Sequence, residues 1–194
     1  MSEERELIER LRRGDSAAFD EIYKVHCPRI FSFLARLTGR RALAEDLLQE
    51  TFLRLCRFAP RLAPDTRIEL WLYTVARNLA RSHFRWSVVD ADRLFGWRQL
   101  TEADEQASPF DMTAARELER AVERGLLRLP MDQRELLILI AVERVPTADV
   151  AHMLGLSPAA MRQRLSRARK LLAQAVMREG FDPSCYGEVL SDET

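Results

Sequence analysis

The sequence predicts an all-α chain of two small helical domains joined by an acidic linker. Three observations carry that prediction. Apolar residues recur at helical spacing over most of the chain, glycine is scarce at 7 in 194 residues, and an apolar share of 47% is enough for packed helical cores. Charge is also distributed in blocks. Residues 16–88 carry 12 basic and 7 acidic side chains, and residues 121–178 carry 10 and 5. Between and behind them, residues 89–120 carry 4 basic against 8 acidic, and residues 179–194 carry 5 acidic and no basic ones. A net charge of zero therefore hides two basic modules separated by acid.

The first element is an amphipathic helix over 3–13 that stops at Gly14-Asp15, after which Ser16 can cap the next helix. Phe19, Ile22, Tyr23, His26, Ile30, Phe33, Leu34 and Leu37 then mark one inward stripe, with a kink expected at Pro28. His26 on that stripe reads as a packed residue. A third helix over 42–57 turns Ala44, Leu47, Leu48, Thr51, Phe52 and Leu55 inward. Its other face shows Asp46, Gln49, Glu50 and Leu53. Carboxylates and an amide around one exposed leucine suit docking against a partner helix that carries arginines.

A proline-rich loop, FAPRLAPDT, leads to a fourth helix over 67–86. Ile68, Trp71, Leu72, Val75 and Leu79 point inward, while Tyr73, Arg77, Arg81, Phe84 and Arg85 share an outer face with Asn78 beside it. Rings interleaved with cations suit single-stranded nucleic acid, because aromatic faces stack on unpaired bases while guanidinium groups follow phosphates.

In the second module, Val150, Ala151 and Leu154 stripe a short helix that Gly155 ends. Ser157 can cap the next helix, with Pro158 at its first position. Met161, Leu165, Ala168 and Leu172 face a core, leaving Arg162, Gln163, Arg164, Arg167, Arg169 and Lys170 outside. This is a helix-turn-helix whose second helix suits a DNA major groove.

Four segments in register resemble sigma factors of the extracytoplasmic-function class. They are AEDLLQETFLRL at 44–55, ELWLYTVARNLARSHFR at 69–85, LP…R at 129–134, and the helix ending RQRLSRARKLL at 162–172. The resemblance implies a sigma-2-like domain over 1–88, an acidic linker over 89–115, a sigma-4-like domain over 116–178 and an acidic tail over 179–194. It implies as partners core RNA polymerase (its beta and beta-prime subunits), promoter DNA and an anti-sigma factor. Carried over by position, Asp46, Gln49, Glu50 and Leu53 would meet the polymerase clamp helices. Leu62, Tyr73, Arg77, Asn78, Arg81 and Arg85 would engage the minus-ten element. Ser157, Arg162, Gln163, Arg164 and Arg167 would engage the minus-thirty-five element.

The chain departs from the family pattern at several places, among them Asp149, where a longer glutamate is common. Leu62-Ala63-Pro64 stands where an aromatic, an arginine and a glycine are common, and a leucine can wedge but cannot stack. Ala159-Ala160 replaces a Gly-Thr, and Pro146 occupies a serine's place, leaving Thr147 to cap the first helix of the motif.

Other classes are poorly supported. Cys27, Cys56 and Cys185 show no ligand spacing, so no metal and no cofactor is expected. Asp65, Glu69 and His83 are scattered, without a phosphate loop or nucleophile motif, so the chain is not expected to be an enzyme. Without a leader or a membrane-spanning run, no membrane insertion is expected and a cytoplasmic location is. A plain helix-turn-helix regulator is the alternative, but a sensor domain needs neither the polar third-helix face nor the cationic fourth one. The acidic tail is long enough to reach back toward Arg164, Arg167, Arg169 and Lys170, and equally reads as a solubilising end or a segment docked through Phe181 and Tyr186.

Overall fold

The computed structural model describes residues 3–93 and 114–181, and among them there are helices and turns but no strand. The chain divides into two compact units, Met1–Glu102 and Ala103–Thr194. The linker and the tail beyond residue 181 fall largely outside the described residues.

The first unit contains α1 (Glu3–Arg12), α2 (Ser16–Thr38), α3 (Arg41–Phe58), a 3-10 turn (Ala59–Arg61) and α4 (Ile68–Arg93). The α1–α2 corner is made by Gly14, at φ 82°, and by Asp15 rather than Ser16. Asp15 Oδ1 accepts the Ala17 N–H at 2.9 Å, and Oδ2 accepts Arg10 Nε at 2.8 Å. The carboxylate thus closes the helix end and ties it back to α1, and Arg10 holds its pKa below the usual carboxylate range. α2 runs unbroken through Pro28 and ends at Gly39, in the left-handed region at φ 69°. Phe33, Leu34 and Leu37 of α2, Leu47 and Leu55 of α3, and Leu72 of α4 are all buried. Ala76 and Ala80 are fully buried too, so α4 approaches its neighbours closely along a stripe of small residues.

The second unit contains α5 (Ala114–Leu127), α6 (Met131–Leu137) continuing as a π turn (Ile138–Val142), α7 (Thr147–Leu154) and α8 (Pro158–Met177). Gly125 brings α5 against the far end of α8. A Cβ there would sit 3.1 Å from Val176 Cγ2 and 3.2 Å from Leu172 Cδ1. Arg134 closes the α5–α6 corner by donating to the carbonyls of Leu126 at 2.8 Å and Leu129 at 3.0 Å, and to that of Leu127. Leu127 is the last residue of α5, where carbonyls lack intrahelical donors, while Leu126 O also accepts the Leu129 N–H at 3.0 Å. Burial pushes the Arg134 guanidinium down to about 10, still charged at neutral pH.

The helix-turn-helix forms as expected, with one correction. Gly155 at φ 64° stops α7, and Leu156 N–H donates to Ala151 O at 2.9 Å. Ser157 Oγ accepts the Ala160 N–H at 3.2 Å and Pro158 opens α8. Thr147 is not a cap: α7 begins directly after Pro146 with no side-chain cap bond.

Candidate polymerase and nucleic-acid interfaces

Three surfaces gather most of the residues singled out above. On α3, Asp46, Gln49 and Leu53 are exposed, and half-buried Glu50 is paired with Arg54 at 2.9 Å. An apolar groove of about 360 Å³ runs beside them, with Tyr23, Leu48, Gln49, Phe52 and Leu53 in its walls. Tyr23 had been expected in the core. Instead it is 43% exposed and meets Phe52 edge-on at 4.7 Å, so it forms a wall of this groove.

On α4, Arg77, Asn78, Arg81, Ser82 and Arg85 line a shallow concavity of about 550 Å³. Arg77 Nη1 donates to Asn78 Oδ1 at 3.1 Å, which orients the amide. Ser82 had no signal beyond its spacing, four residues from Asn78. Two residues assigned to this surface are elsewhere. Tyr73 is 1% exposed and packs edge-on against Phe33 at 5.3 Å, because the inward stripe of α4 is wider than the large apolar residues alone suggest. Leu62 is 5% exposed and anchors the loop after the 3-10 turn, so it offers no wedge. The aromatic surface near α4 comes from Phe58, 47% exposed, whose ring lies 6.4 Å from that of half-buried Trp71. Trp71 stands two turns before Asn78, on the same side of the helix.

On α8, Arg162, Gln163, Ser166, Arg167 and Lys170 line a concavity of about 580 Å³. Met161 and Ala168, both buried, carry the opposite side. Arg164 is exposed but forms no part of that wall, since it falls 100° beyond Gln163, toward the core side. Ser157 spends its hydroxyl on the helix cap. The first acid of the tail does not turn to α8. Glu179 pairs with Arg124 of α5 at 2.9 Å and with Arg128, just past the end of that helix, at 2.5 Å.

The described residues contain no group of three or more His, Cys, Asp or Glu able to hold a metal, and no helix long and apolar enough to cross a membrane. Cys185 lies outside them. Glu69 is engaged in an ion pair with Arg29.

A long cationic helix in a first helical unit, followed by a helix-turn-helix in a second, is the arrangement of a promoter-recognition factor. Residues 22–87 match the family model for sigma-70 region 2, and residues 119–172 match that for sigma-70 region 4. The chain is 38% identical over 168 residues to the RNA polymerase sigma factor CarQ of Myxococcus xanthus, covering 86% of this chain and 94% of that protein. It is 32% identical over 163 residues to the ECF sigma factor SigM of Mycobacterium tuberculosis, covering 83% and 78%. The sigma factor RpoE of Bartonella quintana, solved with the anti-sigma factor NepR, superposes with a TM-score of 0.65 at 25% identity. That match covers 82% of this chain and 96% of RpoE. The chain belongs to the extracytoplasmic-function sigma factors, which direct transcription initiation and are not themselves enzymes.

Proposed function

We propose that the three surfaces divide the work of a sigma factor between them. The α3 surface of Asp46, Gln49, Glu50 and Leu53 docks on the clamp helices of core RNA polymerase, its acids meeting basic side chains around the leucine. Arg77, Asn78, Arg81, Ser82 and Arg85 engage the minus-ten element, with the Phe58–Trp71 rings supplying the stacking surface that Tyr73 and Leu62 do not. Arg162, Gln163, Ser166, Arg167 and Lys170 engage the minus-thirty-five element in the major groove. The observation that carries this reading is that each set lies outside the packing of its own unit. The protein works in the cytoplasm, where its polymerase and promoters are. The solved complex of RpoE with NepR supports an anti-sigma protein as a further partner.

Run-off transcription with purified core polymerase on a promoter library tests the division. Asp46→Lys with Glu50→Lys should abolish both transcription and co-purification with core while leaving helicity intact. Gln163→Ala or Arg167→Ala should each lose roughly 1–3 kcal/mol of discrimination at one upstream position, and Arg164→Ala should not. Unchanged preference in the first two would remove α8 from base reading.

A further inference from the structure

The helix that carries the minus-ten residues has no cap of its own. Its first intrahelical bond runs from Trp71 N–H to Arg67 O at 3.1 Å, which makes Arg67 the cap residue. An arginine side chain has no acceptor to offer. The Ile68 N–H is donated instead to Glu4 Oε1 at 3.3 Å, a carboxylate on α1 sixty-four positions earlier. A negative group at that end also suits the helix dipole. From the other side, Glu69 of the first turn pairs with Arg29 of α2, whose guanidinium lies 6.0 Å from the Tyr73 ring centre. The start of α4 is thus held from α1 and from α2 at once.

Distance along the helix amplifies that grip. Arg85 lies 17 residues beyond Ile68, about 26 Å along the axis. A tilt of about 5° at the start moves Arg85 by roughly 2 Å, more than a hydrogen bond tolerates. We infer that Glu4 is a positioning residue for DNA engagement, its bond to the Ile68 N–H aiming α4 so that Arg77, Arg81 and Arg85 meet the minus-ten strand. The inference rests on the assignment of α4 to that element. Glu4 itself is exposed, while buried Ile8 and Leu11 hold α1 in place, so the fold survives its loss.

The test uses holoenzyme assembled with core polymerase and a fluorescent single strand carrying the minus-ten sequence recovered by the run-off selection. Glu4→Ala should weaken strand binding by roughly three- to tenfold, the range for losing a helix cap. Core affinity and the salt slope should not change, since no phosphate contact is removed. Glu4→Gln, whose carbonyl still accepts the Ile68 N–H, should restore binding. Arg81→Ala should weaken the same strand and flatten its salt slope. If Arg81→Ala weakens binding and Glu4→Ala does not, the positioning role fails while the assignment of α4 stands. If Arg81→Ala has no effect, the assignment falls and the inference with it. Parallel loss of core affinity in Glu4→Ala, or equal losses in Glu4→Ala and Glu4→Gln, would also overturn the inference.

Discussion

The two cationic helices, α4 and α8, reach similar surfaces by opposite routes. At α8 the stop of the preceding helix, the cap and the first proline fall within four consecutive residues, Gly155 to Pro158. At α4 the cap comes from Glu4 and the flanking ion pair from Arg29, far away in sequence. One helix is aimed by its own neighbours in the chain, the other by the folding of its unit. A local signal can be read in a line of letters; a tertiary one cannot.

The comparison can be broken most severely at Arg134. If the second unit depended on its local signals alone, losing this side chain would matter little. Because its guanidinium binds three carbonyls across the α5–α6 corner, Arg134→Ala should cost about 2–4 kcal/mol. All three tryptophans of the sequence stand at positions 71, 86 and 97, and none falls after residue 102. The loss should therefore appear in a circular-dichroism transition that tryptophan fluorescence does not follow. Coincident shifts of both signals would show that the units unfold together.

A smaller effect sharpens the local side of the contrast. Ser157→Ala removes the cap hydroxyl and should destabilise the second unit by about 1 kcal/mol. Affinity for minus-thirty-five duplex should fall somewhat with unchanged base preference, because the side chain is committed to the Ala160 N–H. A changed preference in selection on randomised duplexes would make Ser157 a reader after all.

The smallest effect belongs to the tertiary side. His26 is half-buried near the α4 start, and burial lowers its pKa, as does Arg29, while Glu69 and Glu4 oppose the shift. The folded state therefore prefers the neutral ring, and the unfolded chain takes up its proton first as pH falls. This contribution to stability is complete above about pH 6.5 and is lost as pH falls from there through the lower folded value. Urea unfolding followed by tryptophan fluorescence should show the loss, and His26→Gln should flatten it. An unchanged profile in the variant would assign the pH dependence to other groups.

The same contrast explains what was legible in the sequence. Periodicity located the helices, Gly155 and Ser157 fixed the turn of the motif, and the exposed stretch of α8 followed from Met161, Ala168 and Leu172 facing inward. Tyr73 and Leu62 were misplaced because their burial depends on Phe33 and on how the loop folds over, neither of which is adjacent in sequence. Tyr23 failed in the other direction: the stripe predicted burial, but the α2–α3 groove opens where Tyr23 stands. Ala76 and Ala80 were the signal for a broader inward face on α4, since buried alanines mark close helix approach as surely as leucines mark a core. Arg164 is exposed but stands outside the concavity that Arg162, Gln163 and Arg167 line, a difference of angle that composition does not show.

Gly125 has a consequence for how this family of factors can diversify. It lets α5 grip α8 through Leu172, Ala175 and Val176, near the end of a twenty-residue helix. Gln163, Arg167 and Lys170 lie earlier along the helix than that grip, on the side away from buried Met161 and Ala168. Mutations at those three positions are therefore unlinked from foldability. If these side chains read the upstream element as proposed, a lineage, or an engineer building orthogonal transcription circuits, can exchange them in combination and retarget it without repacking the core.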